Sequence, residues 1–576
     1  MTGIDGTPES KANLGNELAL DKNTLAVIES IDGKEIESQL IELARIGGER
    51  IKPMYGQKER YATNRPALSP QDRLAQQEFI IPQMETAGAK VHIHPLGVMG
   101  TYEGTDPSLA PVVIMSHTDT VPSGDMYDGT TGVIGGIATV KAMNEAGFQP
   151  RRNVMVLSLT GEESARFNFA LFGSRAIFQG LSDAELAATD QQGQSIAEVL
   201  GETDARTAKV PLFGTRSDLT IPSAVIELHV EQGTRLEESG INIGVVESIA
   251  APVRYKATVG DTSLSPDDTS PPHSRYLELS VDGIEAHSGA TPMGHDQRAD
   301  GLLETISYLQ QALNEYKGVM PKVLSIGDIL IDNQSINKVP GRVRTTLRIG
   351  GDNAEEVEEA VRFLRELENN RNQLLSESEY KFGKNPIKLS KIKSPQNAVF
   401  FKPEDILPRQ RAAFGLIRAV NNAALSRAEE GVVGTVGTFE TTDDGRIILG
   451  LDIRGEDMDP RKMALDEISF ETKALGHTVS LGEPLPGSGD PVRMDVSLVE
   501  STIDVIDRFE IGSVRRMSSA AGHDAQNAAR AGIPAVMLFA PSRRGIAHNP
   551  EAYTSPEDLQ RNVRALAALV IELASR

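Results

Sequence analysis

Five side chains, far apart along the chain, are of the kinds that divalent cations of intermediate hardness take as ligands: His117, Asp128, Glu163, His229 and His548. With no cysteine anywhere, thiolate ligation is excluded, and an imidazole and carboxylate set of this kind suits Zn²⁺, Mn²⁺ or Co²⁺. Glu162 stands beside Glu163, and adjacent side chains point in different directions. One glutamate can therefore ligate while the other works as a general base on water. Asp119, two residues past His117, is placed to hold that imidazole from behind.

The stretch Val112 to Gly136 reads as an apolar strand, a polar loop holding His117, Asp119, Asp125 and Asp128, and a helix with its stripe at Val133, Ile137 and Val140. A histidine and an aspartate eleven residues apart are ordinary in a loop. Repetition changes the reading. The run Asn153 to Leu159 ends in Thr160-Gly161-Glu162-Glu163, Ala224 to Val230 carries His229 into Glu231-Gln232-Gly233, and Ala535 to Phe539 opens towards His548. Four strand-end polar groups predict an α/β domain with a mostly parallel central sheet, whose ligand site lies at the strands' carboxyl ends. His92 and His94 alternate with Val91 and Ile93 and are expected on a solvated strand face. No motif surrounds His273, His295 or His477, and these are expected to be exposed.

At 576 residues the chain is too long for one core, and roughly 150 residues per domain suggests three or four units. Its charge, 58 basic against 81 acidic residues, is −23, which argues against nucleic acid or an anionic membrane as partner, though a few local arginines could still bind an anionic substrate. The first twenty residues lack a basic start and an apolar run, and no 18-residue apolar span occurs. A soluble, cytoplasmic protein is expected.

The pieces SHTDTVPSGDMYDG, TGEESARF with FGSRA, ELHVEQG, EAHSGATPM, NKVPG, AAGHDA and PSRRGIAHNPEAYTSPEDL together resemble the M20 superfamily of metallo-amidohydrolases. The resemblance is to the branch of N-carbamoyl-L-amino-acid hydrolases, allantoate amidohydrolases and β-ureidopropionases, because other branches generally have a carboxylate where His229 stands. It implies a discontinuous α/β di-metal domain with an inserted α+β lid. One metal would be held by His117, Asp128 and His229 and the other by Asp128, Glu163 and His548, with Asp128 bridging and Glu162 as base. It further implies that His287 and Asn337 of the lid face the attacked carbonyl oxygen, that Gln232 contacts the ureido or amide group, and that His523 lines the pocket. The reaction would be hydrolysis of a linear amide C–N bond in a small-molecule substrate, the ureido group of an N-carbamoyl amino acid or allantoate-like acid. A dipeptidase or N-acyl-amino-acid deacylase is the rival enzyme, and a non-catalytic binding protein on the same fold the rival of another class.

The chain departs from the family in the lid. Where the family ends a strand in Leu-Asp-Ile-Arg, with the arginine gripping the substrate carboxylate, this chain has Leu347-Arg348-Ile349-Gly350; Leu451-Asp452-Ile453-Arg454 comes later. Each copy begins six residues after a Gly-Arg pair, Gly341-Arg342 and Gly445-Arg446. This predicts two tandem lid units, 251–378 and 379–486, between catalytic segments 1–250 and 487–576. Arg454 would then bind the carboxylate, with Arg342, Arg344 and Arg348 as alternatives. A second lid within one chain could replace a partner's lid and leave a monomer; otherwise a homodimer is expected.

Overall fold

The computed structural model describes residues 22–576 apart from 216–218, 268–272, 290, 292, 295–297, 316–322, 379–381, 383–385, 393–398, 456, 476–478 and 486–487. His295, His477 and the polar lead to residue 21 lie outside the described residues; His273 is exposed as expected. Two compact units are formed, Met1–Ile249 with Val492–Arg576, and Ala250–Pro491.

The first unit is built on one large sheet. Its centre is four parallel strands: Val112–His117 (β1), Val154–Leu159 (β2), Ala224–Val230 (β3) and Ala535–Ala540 (β4). They lie in the order β4-β3-β1-β2, and every residue of the four is buried. Burial on both faces explains why each reads as an unbroken apolar run rather than an alternating one. The flanks are antiparallel, Gly97–Tyr102 and Lys90–His94 beyond β2, and Ile243–Ile249 beyond β4, so the sheet is mixed rather than mostly parallel. Helices Thr130–Glu145 (α1) and Pro556–Ser575 (α2) contribute their apolar faces to the same core. Gly132 lets α1 approach β3 closely, since a Cβ there would lie 2.0 Å from the Leu228 carbonyl oxygen.

The second unit contains two four-stranded antiparallel sheets, one ordered Val323–Ile331, Arg342–Gly351, His273–Asp282, Ile387–Ile392, the other Val433–Thr441, Ile447–Gly455, Ala251–Val259, Val479–Leu481. Numbered within each sheet by sequence, both run 2-3-1-4, and both break register between strands 2 and 3, at Ile326/Ile329 and Val436/Thr438. The tandem division at 378/379 does not follow these pairings. Ala251–Val259 joins the later sheet through Ile447–Gly455, while Ile387–Ile392 returns to His273–Asp282. Strand partners this far apart leave no local signal.

The histidine pair at the sheet edge corrects a second expectation. Ile93 is 65% exposed, whereas His94 is buried and accepts the Leu96 N–H at Nδ1 (3.2 Å). Burial pushes its pKa down from 6.5 to about 4, with His92 adding to the effect. A group depressed in this way contributes stability above pH 6.5 that is lost as pH falls towards about 4. The thermal midpoint of the wild type should therefore exceed that of His94→Gln at pH 7.5, and the gap should close by pH 4.5; a gap independent of pH would contradict this.

Candidate metal centre

Because β1 to β4 run parallel, their carboxyl ends share one edge of the sheet, and the polar groups that follow them converge there. His117 is the last residue of β1 and His229 the sixth of β3, while Glu162 and Glu163 leave β2 through Gly161 and His548 lies in the loop beyond β4. Asp128 enters from the loop before α1. Its Oδ1 lies 3.0 Å from His229 Nε2 and 3.7 Å from His117 Nε2; its Oδ2 lies 3.3 Å from His548 Nε2, which is itself 3.0 Å from Glu163 Oε1. Two triads thus share one carboxylate: His117, Asp128 and His229, and Asp128, Glu163 and His548, all buried.

The hydrogen bonds behind the ring nitrogens aim them. His117 Nδ1 donates to the Asp119 carbonyl oxygen (3.0 Å) and His229 Nδ1 to that of Val230 (2.8 Å), so both rings turn Nε2 towards the cluster. His117 Nε2 is buried and makes no hydrogen bond, as a metal-ligating nitrogen would be. The donor set and this orphaned nitrogen fit divalent cations of the Zn²⁺, Mn²⁺ or Co²⁺ kind.

Asp119 holds the His117 ring from behind through its backbone carbonyl. Its carboxylate is 3.7 Å from His117 Nδ1 and instead accepts the N–H groups of Gly161 (2.9 Å), Glu162 (3.3 Å) and Glu163 (3.1 Å). Three converging amides draw it away from the imidazole, and it fixes the peptide on which the two glutamates sit. Gln232, at φ +57°, donates its amide N–H to Asp128 Oδ2 (2.6 Å) and so steadies the shared carboxylate. His523 is buried with its ring centroid 4.5 Å from that of His229 and its Nε2 3.0 Å from Ser519 Oγ. Sequence reading passed over Glu227, whose carboxylate accepts the Ala525 N–H (2.7 Å) and ties the loop carrying His523 to β3. Its place inside an apolar strand was the available signal.

Burial opposes every charge in this cluster, and the balance differs by residue. Burial pushes the His117 pKa down to about 4 against the pull of Asp128. At His229 burial also acts downward, but Asp128 overrides it and lifts the value to about 9; Glu163 and Asp128 lift His548 to about 10 in the same way. Burial raises Asp128, yet His229 and His548 hold it well below the usual carboxylate range. Glu162 is raised well above its ordinary value by burial, then by Glu163, Asp524, Asp128 and Asp119.

In the second unit His287 lies on a two-residue strand, Ala286–His287, paired with Lys338–Val339 next to Asn337; the Ser288 N–H donates to the Asn337 carbonyl oxygen (2.9 Å). Ser288 Oγ donates to Asp452 Oδ2 (2.8 Å) on the other sheet, and Arg454 Nη2 lies 2.9 Å from the same oxygen and 3.4 Å from Ser288 Oγ. The segment after His287 and the Arg454 strand therefore meet within this unit. The alternative arginines are each paired with a carboxylate: Arg342 with Asp282 (3.3 Å), Arg344 with Asp332 (2.7 Å) and Arg348 with Asp267 (2.5 Å).

Fold and site together are those of a metal-dependent hydrolase. The chain belongs to peptidase family M20/M25/M40, which matches residues 113–572. It is 30% identical to the N-carbamoyl-L-amino acid amidohydrolase of Geobacillus stearothermophilus over 318 residues, 55% of this chain and 69% of that one. It is 24% identical to the allantoate amidohydrolase of Escherichia coli (strain K12) over 510 residues, 88% and 92% of the two chains. Among solved structures, that of AtUAH in complex with (S)-hydroxyglycine has the same fold, with a TM-score of 0.61 at 21% identity over 96% of this chain and 100% of that one.

Two outcomes are expected. Gly129 has φ +66° and a Cβ there would fall 2.3 Å from His117 Nε2, so Gly129→Ala should abolish cation binding measured by calorimetry while the sheet core stays folded. Neighbouring carboxylates raise the His229 and His548 pKa values to about 9 and 10, so both are expected to carry protons at pH 7 without a cation. Binding Zn²⁺ should then release protons, seen as a binding heat that varies with the buffer's ionisation enthalpy, and affinity should rise with pH towards 9; a buffer-independent heat would contradict the assignment.

Proposed function

We propose that this chain hydrolyses the ureido C–N bond of an N-carbamoyl amino acid or an allantoate-like small acid, using two divalent cations (Zn²⁺, Mn²⁺ or Co²⁺). The observation that carries this reading is the pair of buried triads sharing Asp128, with Glu162 Oε2 3.8 Å from His117 Nε2. Bound there, the cations would polarise the substrate carbonyl and bring the pKa of a water towards about 7. Glu162, its repulsion from neighbouring carboxylates offset, takes the proton of the attacking water and delivers it to the leaving nitrogen. Asp119 keeps Glu162 on its peptide, and Gln232 keeps the shared carboxylate in place. Hydrolysis of a ureido group consumes one water and yields the amine, ammonia and carbon dioxide.

His287 and Asn337 are assigned to the carbonyl oxygen of the substrate and Arg454 to its carboxylate. Support comes from their gathering within one unit and from the relatives named above, which include N-carbamoyl-L-amino acid and allantoate amidohydrolases. We read the two 2-3-1-4 sheets as duplicated lids, one nested in the other, an arrangement that leaves the chain a monomer. A homodimer is the alternative.

A panel of N-carbamoyl amino acids, allantoate, N-acetyl amino acids and dipeptides, assayed with each metal, tests the substrate class. Turnover confined to ureido compounds is expected, and turnover of dipeptides alone would overturn the reading. Glu162→Gln should bind cations as the wild type does and lose roughly 10²- to 10⁴-fold in kcat.

A further inference from the structure

Asp125 belongs to neither triad, yet it is bonded to both ends of one of them. It is buried, and its Oδ1 accepts the N–H groups of Tyr127 (2.8 Å) and Asp128 (2.9 Å). Its Oδ2 accepts the N–H of His548 (3.1 Å), 423 positions further along the chain. The residue is itself fixed: the Thr63 hydroxyl donates to the Asp125 carbonyl oxygen (2.7 Å), and Thr63 and Gly124 exchange both backbone hydrogen bonds (2.9 Å each). His548 has φ +56°, a left-handed backbone that a residue with a Cβ holds only where its surroundings impose it. The bond to Asp125 is one such constraint.

We propose that Asp125 is a positioning residue that sets the spacing between Asp128 and His548, and so governs occupancy of the cation site formed by Asp128, Glu163 and His548 rather than the one formed by His117, Asp128 and His229. The inference rests on the two-cation reading above. It is specific because the two halves of the carboxylate have separate tasks. Oδ1 shapes the turn that presents Asp128 to both sites, whereas Oδ2 alone reaches the peptide of His548. Asp125→Asn keeps an acceptor for the turn but sets an amide N–H against the His548 N–H, so it breaks the second task and spares the first.

The test is calorimetric titration of the chelator-treated full chain with Mn²⁺ and Zn²⁺. The wild type should bind two cations. Asp125→Asn should bind one with unchanged affinity and the other roughly 10- to 100-fold more weakly, the usual cost of losing a group that orients a ligand. Its kcat at low metal should fall in proportion to the vacant site and recover in excess Mn²⁺, a rescue that general destabilisation would not give. Should the Asn variant fail to fold by circular dichroism, Asp125→Ser, whose hydroxyl can cap the turn but not reach His548, is read by the same criteria. Two sites of wild-type affinity in a folded variant, or equal weakening of both, would overturn the role of Asp125. A wild type that binds no cation would instead overturn the two-cation reading beneath it, and this proposal with it.

Discussion

One carboxylate sets the terms for the catalytic unit. Asp128 offers Oδ1 to two imidazoles and Oδ2 to a third, and it is buried where an unpaired charge would not survive. Everything around it maintains that sharing. Parallel strands bring His117 and His229 to one edge, Asp125 caps the turn that presents Asp128, and Gln232 donates to its second oxygen. Gly129 leaves room for the His117 ring directly behind it. A site of this kind concentrates Asp119, Asp128, Glu162, Glu163 and Asp524 in a low-dielectric interior. Divalent cations held by the two triads would neutralise much of that charge.

The second unit solves a related problem. His287 and Asn337 sit on a ribbon only two residues wide, too short to be stable alone. The ribbon is held by Lys338 Nζ on Glu285 (2.7 Å) and by Ser288 reaching across to Asp452 of the other sheet. Asp452 stays ionised despite burial because Arg454 and Arg254 flank it, and that keeps the guanidinium of Arg454 in a fixed plane. Rigid donors of this sort suit the recognition of a small polar substrate.

Much of the site was legible in the sequence because strand-end placement is a local signal. An apolar run followed by His, Glu or Asp needs no partner to be recognised, and four such runs pointed to His117, Glu163, His229 and His548, which meet around Asp128 in the two triads. Long-range pairing was not legible. Nothing near Ala251–Val259 says that it belongs with Ile447–Gly455 across an inserted sheet, and nothing near Asp125 points to His548. Asp119 was placed correctly behind His117, but its division of labour was not legible: the carbonyl accepts from the ring, and the carboxylate from three amides of the next strand's loop. His94 was read as solvated because alternation fixes which residues share a face, not which face is inward.

Anomalous diffraction from crystals grown with Zn²⁺ or Mn²⁺ tests the central claim most directly. Two peaks roughly 3.5–4 Å apart, one on each side of the Asp128 carboxylate, are what this account requires. A single peak touching only one triad, or metal density away from Asp128, would contradict it.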